Sequence, residues 1–161
     1  MSRVMRQAVL GLVGGAVLMV GCSDGTPGES ARADVFDRLA DSHYIAQGES
    51  DFRVYAFKDP HCPACTNLKN AVDNDATPSV EWRWVPVGFL GSGAQADAAA
   101  MIEDEKDVDG YDAVQANMRL AQELGVRSVP TVFYRGTDGE VRFFVGGEQQ
   151  ALDALERMAS E

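Results

Sequence analysis

The stretch "FRVYAFKDPHCPACTNL", residues 52–68, passes from an apolar strand pattern into a cysteine pair, and its reading decides the fold. Residues 52–58 carry aromatic and branched side chains on both alternating faces, as a central strand buried on both sides would. Asp59-Pro60-His61 interrupts that pattern. Pro63 suits the first turn of a helix, and Cys65, Leu68 and Val72 then share one helical stripe. Cys62 and Cys65 therefore stand where a strand hands over to a helix.

Three chemistries compete for such a C-x-x-C pair. A structural zinc site needs four ligands, usually with a second Cys or His pair downstream. The two histidines, His43 and His61, both precede Cys62. A purely structural disulfide across so short a loop removes little unfolded-chain entropy. Redox exchange explains the placement better, because the thiolate is the nucleophile. A helix N-terminus offers unpaired N–H groups and a partial positive charge to such an anion. Cys62 is then the attacking thiol, and Cys65, one turn in, the thiol that resolves a mixed disulfide. His61 is a candidate for favouring the thiolate further when protonated, although an ordinary exposed histidine fits it as well. Lys58 and Asp59 are equally ambiguous.

The chain opens "MSRVMRQAVLGLVGGAVLMVGC", with Arg3 and Arg6 followed by an uncharged run from Gln7 to Gly21. That is the layout of an export signal, and the run is short for a spanning helix, which needs about 20 strongly apolar residues. Its end, "MVGC", resembles the lipobox of bacterial lipoproteins, with Met19 where Leu is commoner. The resemblance implies that Cys22 is lipidated and becomes the new N-terminus. Ser23 after it implies the outer membrane by that group's sorting convention. An uncleaved anchor is the alternative, and both readings export the domain. The expected organisation is a lipoprotein signal peptide at 1–21, a flexible tether at 22–31 with "SDGTPGES" as linker, and one domain at 32–161. Loss of 1–21 removes two Arg and no acid, taking the formal charge from −11 to −13. Such a surface repels nucleic acid and anionic headgroups. With Cys22 lipidated, one cysteine pair remains, in a compartment that permits disulfides.

Around the central motif the periodicity is that of an α/β domain. "ARADVFDRLADSHYIAQGES" reads as a short amphipathic helix through Val35, Leu39 and His43, stopped by Gly48. The helix after Cys62 is expected to run towards Thr77-Pro78. "VEWRWVPV" is a strand with Val80, Trp82 and Trp84 on its core face, ended by Pro86. "GFLGSG" is a loop whose Gly91 and Gly93 lack the lysine of a phosphate loop. Residues 94–105 form a helix, and the acidic run 104–112 lacks the ordered ligand spacing of an EF-hand. Another helix passes through Val114, Met118 and Ala121 to Leu124-Gly125. "VPTVFYR" and "EVRFFV" form a hairpin across "GTDG", and Leu152, Leu155 and Met158 mark a closing helix.

"VYAFKDPHCPACTNL" resembles the active-site strand and helix of the bacterial thiol:disulfide interchange proteins of the DsbC/DsbG family. "LGVRSVPTVFY" is similar to the segment that carries a cis-proline opposite the dithiol in that fold. The resemblance extends over most of 42–159, with "SHYIAQGES" matching the linker before the domain. It implies a thioredoxin-like fold, a central mixed β-sheet flanked by helices, with a short helical insertion before the cis-proline strand. It also implies Pro130 as that proline, with Val129 and Pro130 presenting the backbone to substrate. No cofactor is implied beyond the Cys62–Cys65 dithiol, and no metal. The implied partners are periplasmic protein thiols and disulfides, or sulfenic acids, with a DsbD-like membrane electron donor if the protein is a reductase. Three departures bear on function. The dimerisation domain of the family is absent between Cys22 and the first helix, so a monomer is expected. The insertion is shortened. Val129 replaces the usual Thr and leaves the direction of electron flow open. A non-enzymatic chaperone or metallochaperone of the same fold is the alternative. Cytochrome maturation is disfavoured, because His61 replaces that group's Trp before the C-x-x-C.

Overall fold

The computed structural model describes residues 35–161. The expected signal peptide, the tether and Cys22 lie outside the described residues. After helix α1 (35–40) come β1 (Ile45–Gln47), β2 (Arg53–Lys58), α2 (Pro63–Asp73), β3 (Glu81–Pro86), α3 (Ser92–Glu103), α4 (Gly110–Glu123), β4 (Thr131–Arg135), β5 (Val141–Val145) and α5 (Gln149–Ala159). The five strands form one mixed sheet in the order β1-β3-β2-β4-β5. β2 and β3 are parallel and joined through α2, while the other pairs are antiparallel.

β2 lies at the centre because its side chains are apolar on both faces. Val54 and Ala56 point to a core shared with Leu68 and Val72 of α2 and Leu152 and Leu155 of α5. Tyr55 and Phe57 point the other way, among Leu39 of α1, Val85, Val87 and Ala121 of α4. A strand alternating between two dry layers can only be interior. Trp82 and Trp84 sit in the first layer with ring centroids 5.0 Å apart and planes 15° from parallel. Each indole N–H is satisfied, Trp82 donating to Thr77 Oγ1 and Trp84 to Gln47 Oε1, both at 2.8 Å. They are core, as their spacing indicates.

Two elements differ from the sequence reading. Residues 45–47 form a strand, not part of a helix or linker, pairing antiparallel with β3 so that Ile45 faces Trp84 and Gln47 faces Trp82. Three residues are too few to show alternation, and this strand exists because β3 offers it a hydrogen-bonding edge. α2 stops at Asp73 rather than near Thr77, because Asp75 takes a left-handed φ of 57° and Ala76 N–H turns back to Ala71 O at 3.1 Å. The helical insertion between β3 and β4 is the pair α3 and α4, which share a small core of Ala98, Ala99, Ile102, Ala113 and Val114. No helix among the described residues is long and apolar enough to cross a membrane.

Candidate active site

The turn 59–62 carries the end of β2 into α2. Asp59 is fully buried, and its carboxylate accepts N–H bonds from His61 at 2.8 Å and from Leu90 at 2.9 Å. A buried carboxylate left unpaired would be costly. Here it binds the cysteine turn to the loop after β3, while Cys62 N–H bonds to Asp59 O at 3.1 Å.

Cys62 is the N-cap of α2, with φ −92° and ψ 113°, and Pro63 follows in the first turn. The Cys65 N–H donates to Cys62 Sγ at 3.2 Å. The sulfur thus takes the place usually held by a Ser, Thr, Asp or Asn oxygen, where unpaired amides and the helix dipole favour negative charge. No acidic residue lies in the first turn of α2 to oppose that field. On its other side the Cys62 thiol donates to Val129 O at 3.4 Å. The Val129–Pro130 peptide bond is cis. Residues 67 positions away in sequence thus cover the sulfur.

Cys62 and Cys65 are not joined by a disulfide in this structure. Cys62 retains 6 % of its exposure and Cys65 only 1 %. A sulfur at a helix N-terminus would be expected to face solvent; Cys62 is instead buried, its Sγ against Val129 O, although less completely than Cys65. Burial, and after it the hydrogen bond with Cys62, pushes the Cys65 thiol up to about 12. It stays protonated until something removes its proton. Lys58, the last residue of β2, is also buried, with Nζ 5.7 Å from the Trp84 ring centroid. Burial first, then the Lys69 charge, holds its ammonium below the usual lysine range.

His61 lies beside Cys62 in sequence, and its Nε2 sits 2.7 Å from Asp97 Oδ2 on α3. Both side chains are largely exposed, so the pair contributes little stability but fixes the ring at the edge of the site. Sequence reasoning did not single out Asp97. Nothing in the helical pattern of 94–105 marks one polar residue as the partner of His61. Among the described residues, no group of three or more His, Cys, Asp or Glu converges as metal ligands.

The family model for a thioredoxin-like domain matches residues 39–159. The chain is similar to the thiol:disulfide interchange protein DsbG of Pseudomonas aeruginosa, 25 % identical over 72 % of this chain and 56 % of that protein. It therefore spans little more than half of that relative's length. The catalytic domain of Proteus mirabilis ScsC superposes with a TM-score of 0.62 at 18 % identity, covering 83 % of this chain and 99 % of that one. A periplasmic thioredoxin-like protein from Salmonella enterica serovar Typhimurium gives 0.63 at 14 %, with 80 % and 97 % covered.

Proposed function

This chain belongs to the thioredoxin-like domain family, and on that premise we propose that it is an exported thiol:disulfide oxidoreductase acting through Cys62 and Cys65. One observation carries the reading: the Cys62 sulfur caps α2, takes the Cys65 N–H and lies against the backbone just before a cis-proline. That sulfur heads the helix and lies against the main chain of the cis-proline loop, where an incoming disulfide would meet both.

In the reducing direction the Cys62 thiolate attacks one sulfur of a substrate disulfide. A Cys62–substrate disulfide forms, and the other substrate sulfur leaves as thiolate and takes up a proton. The Cys65 thiol then gives up its proton and attacks Cys62 Sγ, releasing the second substrate sulfur. Two electrons pass to the substrate and Cys62–Cys65 becomes a disulfide. The oxidising direction is the reverse. No organic cofactor or metal enters either half. With a sulfenic acid as substrate, the first attack releases water instead of a thiolate.

Residues 1–21 are the proposed export signal, and Cys22 the lipid attachment site that holds a monomeric domain on the periplasmic side, at the outer membrane. A reductase in that position draws its electrons from a DsbD-like membrane donor. The test is trapping. Cys65→Ser leaves the mixed disulfide unresolved and is expected to hold partner proteins as reducible adducts on a non-reducing gel. Cys62→Ser is expected to hold few, and the intact domain to accelerate insulin reduction by dithiothreitol. Equal trapping by the two variants, with no acceleration, would leave a binding module in place of an enzyme.

A further inference from the structure

Beside the cysteine site runs a groove of about 410 Å³, walled by Phe89, Met118, Val126, Gln122, Arg119 and Arg127. No carboxylate lines it. The chain as a whole has 25 acidic and 14 basic residues. Four other arginines are paired: Arg38 with Glu123, Arg53 and Arg83 with Glu81, and Arg142 with Asp138. Among the described residues the side chains of Arg119 and Arg127, like that of Arg157 on α5, have neither an ion pair nor a hydrogen bond. Arg119 stands on the ridge towards a second hollow that contains Asp41 and Glu123, and of these Glu123 is held by Arg38.

The groove adjoins both loops that frame Cys62. Arg127 lies two residues before Val129, whose carbonyl accepts from the Cys62 thiol at 3.4 Å. Phe89 precedes Leu90, whose N–H binds the Asp59 carboxylate three residues before Cys62. Two lining residues thus stand one and two positions along the chain from the residues that contact Cys62 and its turn.

We propose that this groove receives an acidic segment of the substrate polypeptide, in which Asp or Glu residues lie a few positions from the cysteine captured by Cys62. The two guanidinium groups present planar, forked donors that fit carboxylates. Phe89, Met118 and Val126 take the apolar stems between them. The inference rests on the exchange reading given above and names the substrates that such a site selects. It also opposes the global field, since a chain of net charge −11 favours cationic partners on long-range electrostatics alone.

The test uses the Cys65→Ser protein and single-cysteine peptides activated as nitrothiobenzoate disulfides. The peptides differ only in an Asp-Asp, Asn-Asn or Lys-Lys pair beside the cysteine, and nitrothiobenzoate release gives the rate of Cys62 attack. The Asp peptide is expected to react about fivefold faster than the Lys peptide at low ionic strength, the scale of two exposed ion pairs. Added salt should erase the difference. In a protein that also carries Arg119→Gln and Arg127→Gln the order should invert to favour the Lys peptide. A Lys preference with both arginines present, or an Asp preference that survives their removal, overturns the proposal. The uncharged bis(2-hydroxyethyl) disulfide, tested on the arginine-intact protein, separates the two readings. Attack on it without any peptide charge preference sinks the groove alone, and no attack on any disulfide sinks exchange and groove together.

Discussion

Cys62 and Cys65 are the same residue type three positions apart, and the fold makes them chemically unequal. One turn of helix separates a sulfur that receives an amide hydrogen from one packed in the core. The Cys65 thiol, pushed up to about 12 mainly by burial, has a consequence for stability. Its folded-state value lies above its ordinary value of 9.0, so the folded state binds more protons once the unfolded chain begins to ionise. Its contribution is fully present below about pH 9 and is lost as pH rises towards about 12. Under reducing conditions, denaturant midpoints of the native domain are expected to fall between pH 9 and 10.5 more steeply than those of Cys65→Ala. Parallel profiles would show that Cys65 is not held neutral by its surroundings. A second check at this scale is the thiolate absorbance of Cys62→Ser, which should stay absent through pH 10.

At the scale of elements, the site depends on how closely α3 and α4 approach. A Cβ built on Gly110, the first residue of α4, would lie 2.3 Å from the backbone carbonyl oxygen of Ala99 on α3. Backbone cannot yield as a side-chain tip can. Gly110→Ala is expected to destabilise the domain by about 1–3 kcal/mol, the usual range for overpacking. Gly93, inside α3, is a useful contrast, because its Cβ would meet only His61 Cε1 at 3.4 Å. Gly93→Ala is therefore expected to be neutral or to stabilise by up to about 1 kcal/mol through reduced chain entropy. Thermal midpoints of the two variants, measured side by side, check both. On the opposite face Leu68 connects α2 to the core of β2 and α5. Leu68→Ala should cost about 2–5 kcal/mol and loosen the helix whose N-terminus carries Cys62.

For the whole molecule, the predictions concern location and electron flow. Cys22→Ala should release the protein from the membrane fraction, while the isolated domain keeps its insulin-reducing activity. Mass spectrometry of the native protein should find an acylated Cys22 and no residues 1–21. An N-terminus still at Met1 would replace the lipid anchor by an uncleaved signal. Direction follows from the reduction potential of Cys62–Cys65 measured against glutathione. A value near about −120 mV makes the domain an oxidant and one near about −270 mV a reductant.

The strand-to-helix handover at 52–72 was legible in the sequence because both periods are local. Alternation over β2 and the stripe Cys65, Leu68, Val72 need only neighbours along the chain, and the buried residues of α2 are those three. The α/β order followed for the same reason, and the resemblance of "VRSVPTVFY" to a known segment brought Pro130 to the dithiol. What no local pattern contains is a contact made for another element's sake. β1 forms because β3 has an unpaired edge, and Asp59 is tolerable in the core because Leu90 N–H, 31 positions on, reaches it. His61 meets Asp97, and Arg119 and Arg127 come to share one groove, only after α3 and α4 pack. The sequence by itself determined which sulfur heads the helix. Tertiary packing decided how far that sulfur is covered, what surrounds it and which charges wait beside it, since burial and long-range hydrogen bonds exist only once the layers have closed.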